Sequence, residues 1–174
     1  MAILEGRSPK RATRNRGGIL VNEPNEKQLR LAEGVGTWLG EELMLPSEHM
    51  PEGRMATARS EANMCAGGRI RVSDYTQSVD GNVMMQGHAV TVWNPHERCY
   101  VMYWFDSGGS PPTEFKGDYE GEFFVLKGSV PGGSLVRHRT RKPDADTMIT
   151  VSELSSDGET WTRIFEGTYS RQGS

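Results

Sequence analysis

Residues 87–108 read GHAVTVWNPHERCYVMYWFDSG, and the reading of this stretch decides the fold. Two runs rich in β-branched and aromatic residues flank Asn94-Pro-His-Glu-Arg98, a cluster of turn formers. The pattern predicts one long β-hairpin, Val83–Trp93 paired with Cys99–Asp106. Polar groups able to act on a ligand (His88, His96, Cys99, Asp106) lie in it beside Trp93 and Trp104.

Moving outward, the β pattern is almost continuous. Thr37–Leu45, Met55–Cys65 and Arg69–Val79 precede the hairpin, and Thr113–Tyr119, Glu122–Lys127, Leu135–Arg141, Thr147–Leu154 and Trp161–Ser170 follow it. Turn signals separate them: Ala66-Gly67-Gly68, Asp80-Gly81, Pro131-Gly-Gly and Ser155-Ser-Asp-Gly158. The loops Pro46–Gly53 and Ser107–Pro112 are longer and are candidates for a rim. Before the first strand, 22–34 reads as a short helix capped by Asn25 and stopped by Gly34 and Gly36. About ten strands with hairpin-short links predict an all-β, up-and-down antiparallel β-barrel with a short N-terminal helix. A barrel of this size can hold a ligand.

The chain has 174 residues, which fits one domain. Residues 1–21 form a basic arm, with Arg7, Lys10, Arg11, Arg14 and Arg16 against Glu5. No hydrophobic period runs through it, so it is expected to be flexible, leaving 22–174 as the barrel domain. A net charge of −3 argues for neither nucleic acid nor an acidic substrate. No apolar run reaches membrane-span length, and Glu5-Gly6-Arg7 interrupts any export signal, so a cytoplasmic protein with reduced Cys65 and Cys99 is expected. The histidines at 49, 88, 96 and 138 show no metal-ligand spacing, and no metal or cofactor is expected.

Hairpin register decides which side chains share a face. A five-residue turn at Asn94–Arg98 sets Trp93 opposite Cys99, His88 opposite Trp104 and Gln86 opposite Asp106. Gln86, His88, Val90, Tyr100, Met102, Trp104 and Asp106 then line one face. A four-residue turn is read as placing His88 opposite Tyr103. In the first register His88 and Asp106 can form a proton-transfer pair, or a structural hydrogen bond. Trp38, Tyr75, Tyr103 and Trp104 are candidates to line a cavity, with plugging of the barrel bottom the alternative for Trp38. Asp74 shares a face with Ile70, Val72 and Thr76, opposite Arg71, Ser73, Tyr75 and Gln77. If Asp74 points inward it is a ligand contact or the partner of Arg59 or Arg163. Met84, Met85 and Met102 suggest an adaptable apolar lining or plain core filling.

The stretch from Leu31 to Glu41, with Gly36-Thr-Trp-Leu-Gly-Glu41, resembles the opening of calycin-like proteins, the superfamily of lipocalins, fatty-acid-binding proteins and nitrobindins. Together with Asp74-Tyr75, the Gly87-His88 to Trp104-Phe-Asp-Ser107 hairpin, Ser156-Asp-Gly-Glu-Thr-Trp161 and Glu166-Gly-Thr-Tyr169, it resembles more narrowly a bacterial calycin-like family of unknown function. The resemblance covers about residues 28–171 and implies a ten-stranded barrel, with no established activity to carry over. Nitrobindins bind haem through a histidine on a late strand. The final strand here has none, and His138 is the only late histidine.

The function expected is a calycin-like barrel that binds a small, largely apolar ligand in its interior. The alternatives are a small-molecule isomerase, cyclase or hydrolase using His88 and Asp106, or a structural protein forming a homodimer.

Overall fold

The computed structural model describes residues 23–47, 50–130 and 132–173. The basic arm at 1–21, His49 and Pro131 lie outside the described residues.

Ten strands form a closed antiparallel barrel: β1 (Gly36–Met44), β2 (Arg54–Cys65), β3 (Ile70–Val79), β4 (Asn82–Asn94), β5 (Cys99–Asp106), β6 (Thr113–Glu120), β7 (Phe123–Ser129), β8 (Leu135–Arg141), β9 (Thr147–Ser155) and β10 (Thr162–Arg171). Each strand pairs with its neighbours in sequence, and β1 pairs with β10 to close the ring. Closure leaves no sheet edge to template aggregation. The up-and-down barrel expected from the spacing of the strands is therefore the architecture observed.

The helical entry is shorter than expected. It comprises α1 (Glu26–Arg30) and a 3-10 turn at Leu31–Gly34. Asn25 accepts from the Gln28 amide at 2.9 Å while Gln28 bonds back to the Asn25 amide, so two otherwise orphaned donors are satisfied. Leu31 is buried in a cluster with Tyr100, Phe115, Leu126 and Val136, closing one end of the barrel. Burying that leucine contributes about 1.5–3 kcal/mol. The Tyr100 hydroxyl donates to the Lys27 carbonyl at 2.8 Å, and Lys27 meets Asp118 at 2.7 Å, pinning the helix to the rim. Burial, with Tyr119 and Asp118 nearby, pushes the Tyr100 phenol up to about 12.

The turn has the four residues of the second reading, but the partner of His88 differs from both readings. Asn94 pairs with Cys99, so His88 lies opposite Phe105, Ala89 opposite Trp104 and Gly87 opposite Asp106. The turn proper is Pro95–Arg98. Asn94 remains in the ladder and caps the turn, its side-chain oxygen accepting from the His96 amide at 3.0 Å and the Glu97 amide at 3.2 Å. Arg98 takes the left-handed conformation (φ 56°), a position with no glycine to announce it.

The apolar interior falls into two groups. One surrounds Leu31, Tyr100 and Phe115; the other contains Trp38, Ala58 and Tyr169, with Tyr75 and Met148 against it. Two glycines make room for large rings. A Cβ on Gly40 would overlap the Tyr169 ring, and one on Gly87 would overlap the Trp104 indole.

Candidate functional site

Side chains alternate across each strand, so the pairing assigns every residue to the inner or the outer face. On β3 the outcome inverts simple hydrophobic patterning. Arg71, Ser73, Tyr75 and Gln77 share a face with Trp38 and Tyr100 of the core, while Ile70, Val72, Asp74 and Thr76 face outward. The barrel interior is lined by polar groups on this side.

The register separates the expected proton-transfer pair. His88 is on the outer face and Asp106 on the inner one. His88 instead pairs with Asp74, Nδ1 to Oδ1 at 2.8 Å, and both side chains are well exposed. Arg59 and Arg163 go to Glu61 and Glu166, so neither serves Asp74. Gln86 and Tyr103 also face outward and are exposed. Of the candidate residues, Trp38, Tyr75, Met102, Trp104 and Asp106 face inward. Trp38 plugs the barrel rather than lining open space. It is 1% exposed, donates its indole N–H to the Gly34 carbonyl at 3.2 Å, and lies beneath the Arg171 guanidinium 4.2 Å from the ring centre.

Tyr75 stands at the middle of an inner network that sequence reading missed. Its hydroxyl reaches both carboxyl oxygens of Glu42 at 2.8 Å, the Gln77 amide donates to the same carboxyl at 2.7 Å, and the Tyr169 hydroxyl donates to it as well. Glu42 is completely buried. Burial and the facing Glu42 carboxyl raise both phenols, so they stay protonated and remain donors. Tyr75 meets Trp104 edge-on, 5.8 Å between ring centres, and the Trp104 indole donates to Asp106 at 3.2 Å. An aromatic and polar wall thus runs from Glu42 to Asp106, at the barrel end away from the helix.

Two further inward groups keep accessible surface. Arg71 is surrounded by protein, yet it retains accessible surface. Among the described residues none of its nitrogens is hydrogen-bonded, and none is sealed away from a water-sized space. Burial lowers its pKa, against the pull of the Tyr119 and Tyr100 phenols. His138 is likewise enclosed but only half-buried. Its Nδ1 lies 2.6 Å from the Ser152 hydroxyl and its ring centre 5.0 Å from that of Phe115. Burial pushes the imidazole down to about 4, so the ring is neutral near pH 7. A serine beside a neutral imidazole supplies two parts of a nucleophilic triad, but among the described residues no carboxylate orients the ring. The opposed positions of His138 and Ser152 on β8 and β9 follow from register, which no local motif announces.

Elsewhere, a shallow groove between β6 and β7 (Pro112, Glu114, Lys116, Lys127, Ser129) lies on the outer wall, apart from these groups. Cys65 and Cys99 are free thiols. Among the described residues no group of three or more histidine, cysteine or acidic side chains is placed to hold a metal ion, and no helix is long and apolar enough to cross a membrane.

The model of a family described as protein of unknown function, DUF1579, matches residues 23–171. The chain belongs to the DUF1579 family. The match spans the helix and all ten strands of this DUF1579 barrel. No curated protein matches it in sequence. Among solved structures, Rv2717c from M. tuberculosis is similar with a TM-score of 0.66 at 12% identity, covering 86% of this chain and 99% of that one. The S-type phycobiliprotein lyase CPES from Guillardia theta is similar with a TM-score of 0.60 at 13% identity, covering 87% and 99%. At these identities the likeness shows a shared barrel fold and carries no activity across.

Proposed function

We propose that this DUF1579 barrel binds a small, largely apolar molecule in its interior. One observation carries the reading: Arg71 and His138 face inward by register and keep accessible surface, which supports open space inside the barrel. A well-packed interior leaves few voids, and barrels of ten strands are wide enough to hold a ligand. Small residues on the inner wall (Ser60, Ala62, Ser73 and Ala89) support such space on the β2–β4 side. Trp104, Met102 and Tyr75 offer aromatic and thioether contact surface. The proton-transfer alternative drew on His88 and Asp106 together, and the wall of the barrel stands between them.

Native mass spectrometry of protein purified gently from its own host tests the reading. The expected result is a bound species of small molecular mass, displaced on unfolding and extractable into organic solvent. If the native mass equals the chain mass, and added apolar probes leave it unchanged, interior binding is wrong.

A further inference from the structure

Arg71 is a cation on the inner face of β3, and among the described residues no acidic side chain pairs with it. Several cations at the helix-capped end are matched by carboxylates, Lys27 with Asp118 at 2.7 Å, Arg30 with Glu33 at 3.7 Å, Arg141 with Glu122 at 3.8 Å and Arg171 with Asp146 at 3.8 Å, while Lys142 and Arg69 donate to backbone carbonyls. Among the described residues no carboxylate reaches Arg71 and no hydrogen bond satisfies it. Its guanidinium lies against Gly34, where a Cβ would overlap it, and 5.9 Å from the centre of the Phe124 ring. The Tyr100 and Tyr119 phenols are close enough to act on its charge.

Guanidinium does not shed its proton in proteins, so Arg71 remains charged in this enclosed place. An enclosed charge without a counter-ion is costly to keep. The cost falls when an anion arrives, and the planar fork of donors suits a carboxylate held through two parallel bonds. The ring faces of Tyr119 and Phe124 suit the apolar remainder of an amphipathic molecule.

We propose that Arg71 is the anchor for an anionic head group, a carboxylate on an otherwise apolar ligand, seated in the helix-capped end of the barrel. This inference rests on the interior-binding reading above and adds the charge of the ligand and the residue that selects it.

Dodecanoate and dodecan-1-ol are matched probes that differ only in the head group. Their affinities are measured by titration calorimetry on the full chain, on Arg71→Gln and on Arg71→Lys, with far-UV circular dichroism confirming that each variant is folded. The wild type is expected to bind the acid about tenfold or more tightly than the alcohol. Arg71→Gln is expected to bring the two within about twofold, and Arg71→Lys to keep part of the preference. Equal affinities in the wild type, or a preference that survives Arg71→Gln, overturn the anchor and leave interior binding standing. Binding of neither probe by the wild type overturns interior binding and the anchor with it.

Discussion

The Tyr75 hydroxyl sits 2.8 Å from each carboxyl oxygen of Glu42, in the centre of a barrel wall where simple patterning expects only apolar residues. With the Gln77 amide and the Tyr169 hydroxyl it surrounds a group that has no access to water. Such networks are stabilising only when every member is satisfied.

Tyr169→Phe should therefore cost about 1–3 kcal/mol, since it strips one donor from a buried carboxyl while leaving the ring over Gly40 in place. Urea denaturation monitored by circular dichroism measures it. A change within the error of the midpoint would mean that the carboxyl is satisfied without that hydroxyl.

Thr91 should respond in the opposite direction. It is 1% exposed, and its hydroxyl has no hydrogen-bond partner among the described residues. Thr91→Val keeps the shape and removes the unpaired group, so stability should rise by about 1 kcal/mol. Thermal unfolding checks the sign; a lower midpoint would show that the hydroxyl is bonded in solution.

His138 should make the fold sensitive to acid. The unfolded chain takes up a proton near 6.5, whereas the folded ring stays neutral down to about 4. Between those values the unfolded state binds more protons, so stability falls as pH is lowered through the window, by roughly 3 kcal/mol in total. Above 6.5 the contribution is complete. Urea midpoints at pH 7 and pH 4.5 should converge in His138→Gln relative to wild type; equal losses in the two proteins would remove His138 as the cause.

Gly87→Ala tests the register of the central hairpin. The new Cβ would overlap the Trp104 indole, so the variant should lose about 1–3 kcal/mol and change its near-ultraviolet circular dichroism. Adding Trp104→Leu should recover part of the loss by removing the ring. If Gly87→Ala is silent, the two residues do not share a face.

His88→Ala should do little. An exposed pair of this kind contributes about 0–1 kcal/mol, and it lies on the far side of the wall from the interior. Affinity for an interior probe should be unchanged, and a substantial loss would bring the outer face into binding.

The barrel is legible in the sequence because turn signals recur at strand spacing and because neighbours in sequence pair as hairpins. The site is less so. The expected grouping of His88 with Asp106 depends on one residue: Asn94 has the character of a turn former, but it ends β4 and caps the turn from within the ladder. A one-residue difference moves every side chain to the other face. Asp74 is open to an inward reading for a second reason. Its apolar companions Ile70 and Val72 suggest a core face, whereas β3 turns its polar residues inward. The plugging role of Trp38 is easier to see, since Gly34 and Gly36 bring the helical turn against the first strand. Glu42, Tyr169 and Arg71 stay hidden because their neighbours come from strands far apart in the chain.

The pairing of β1 with β10 carries a kinetic consequence. The ring is joined by its first and last strands, and Arg171 ties that seam by donating to the Val35 carbonyl at 2.6 Å. That contact spans the greatest sequence separation in the barrel, so loop entropy must be met before closure returns anything. Until β10 arrives, β1 and β9 present open edges, and Glu42 lacks the Tyr169 hydroxyl among its donors. Folding should thus be slow and late to become irreversible, with its exposure to self-association concentrated in the interval before the seam closes.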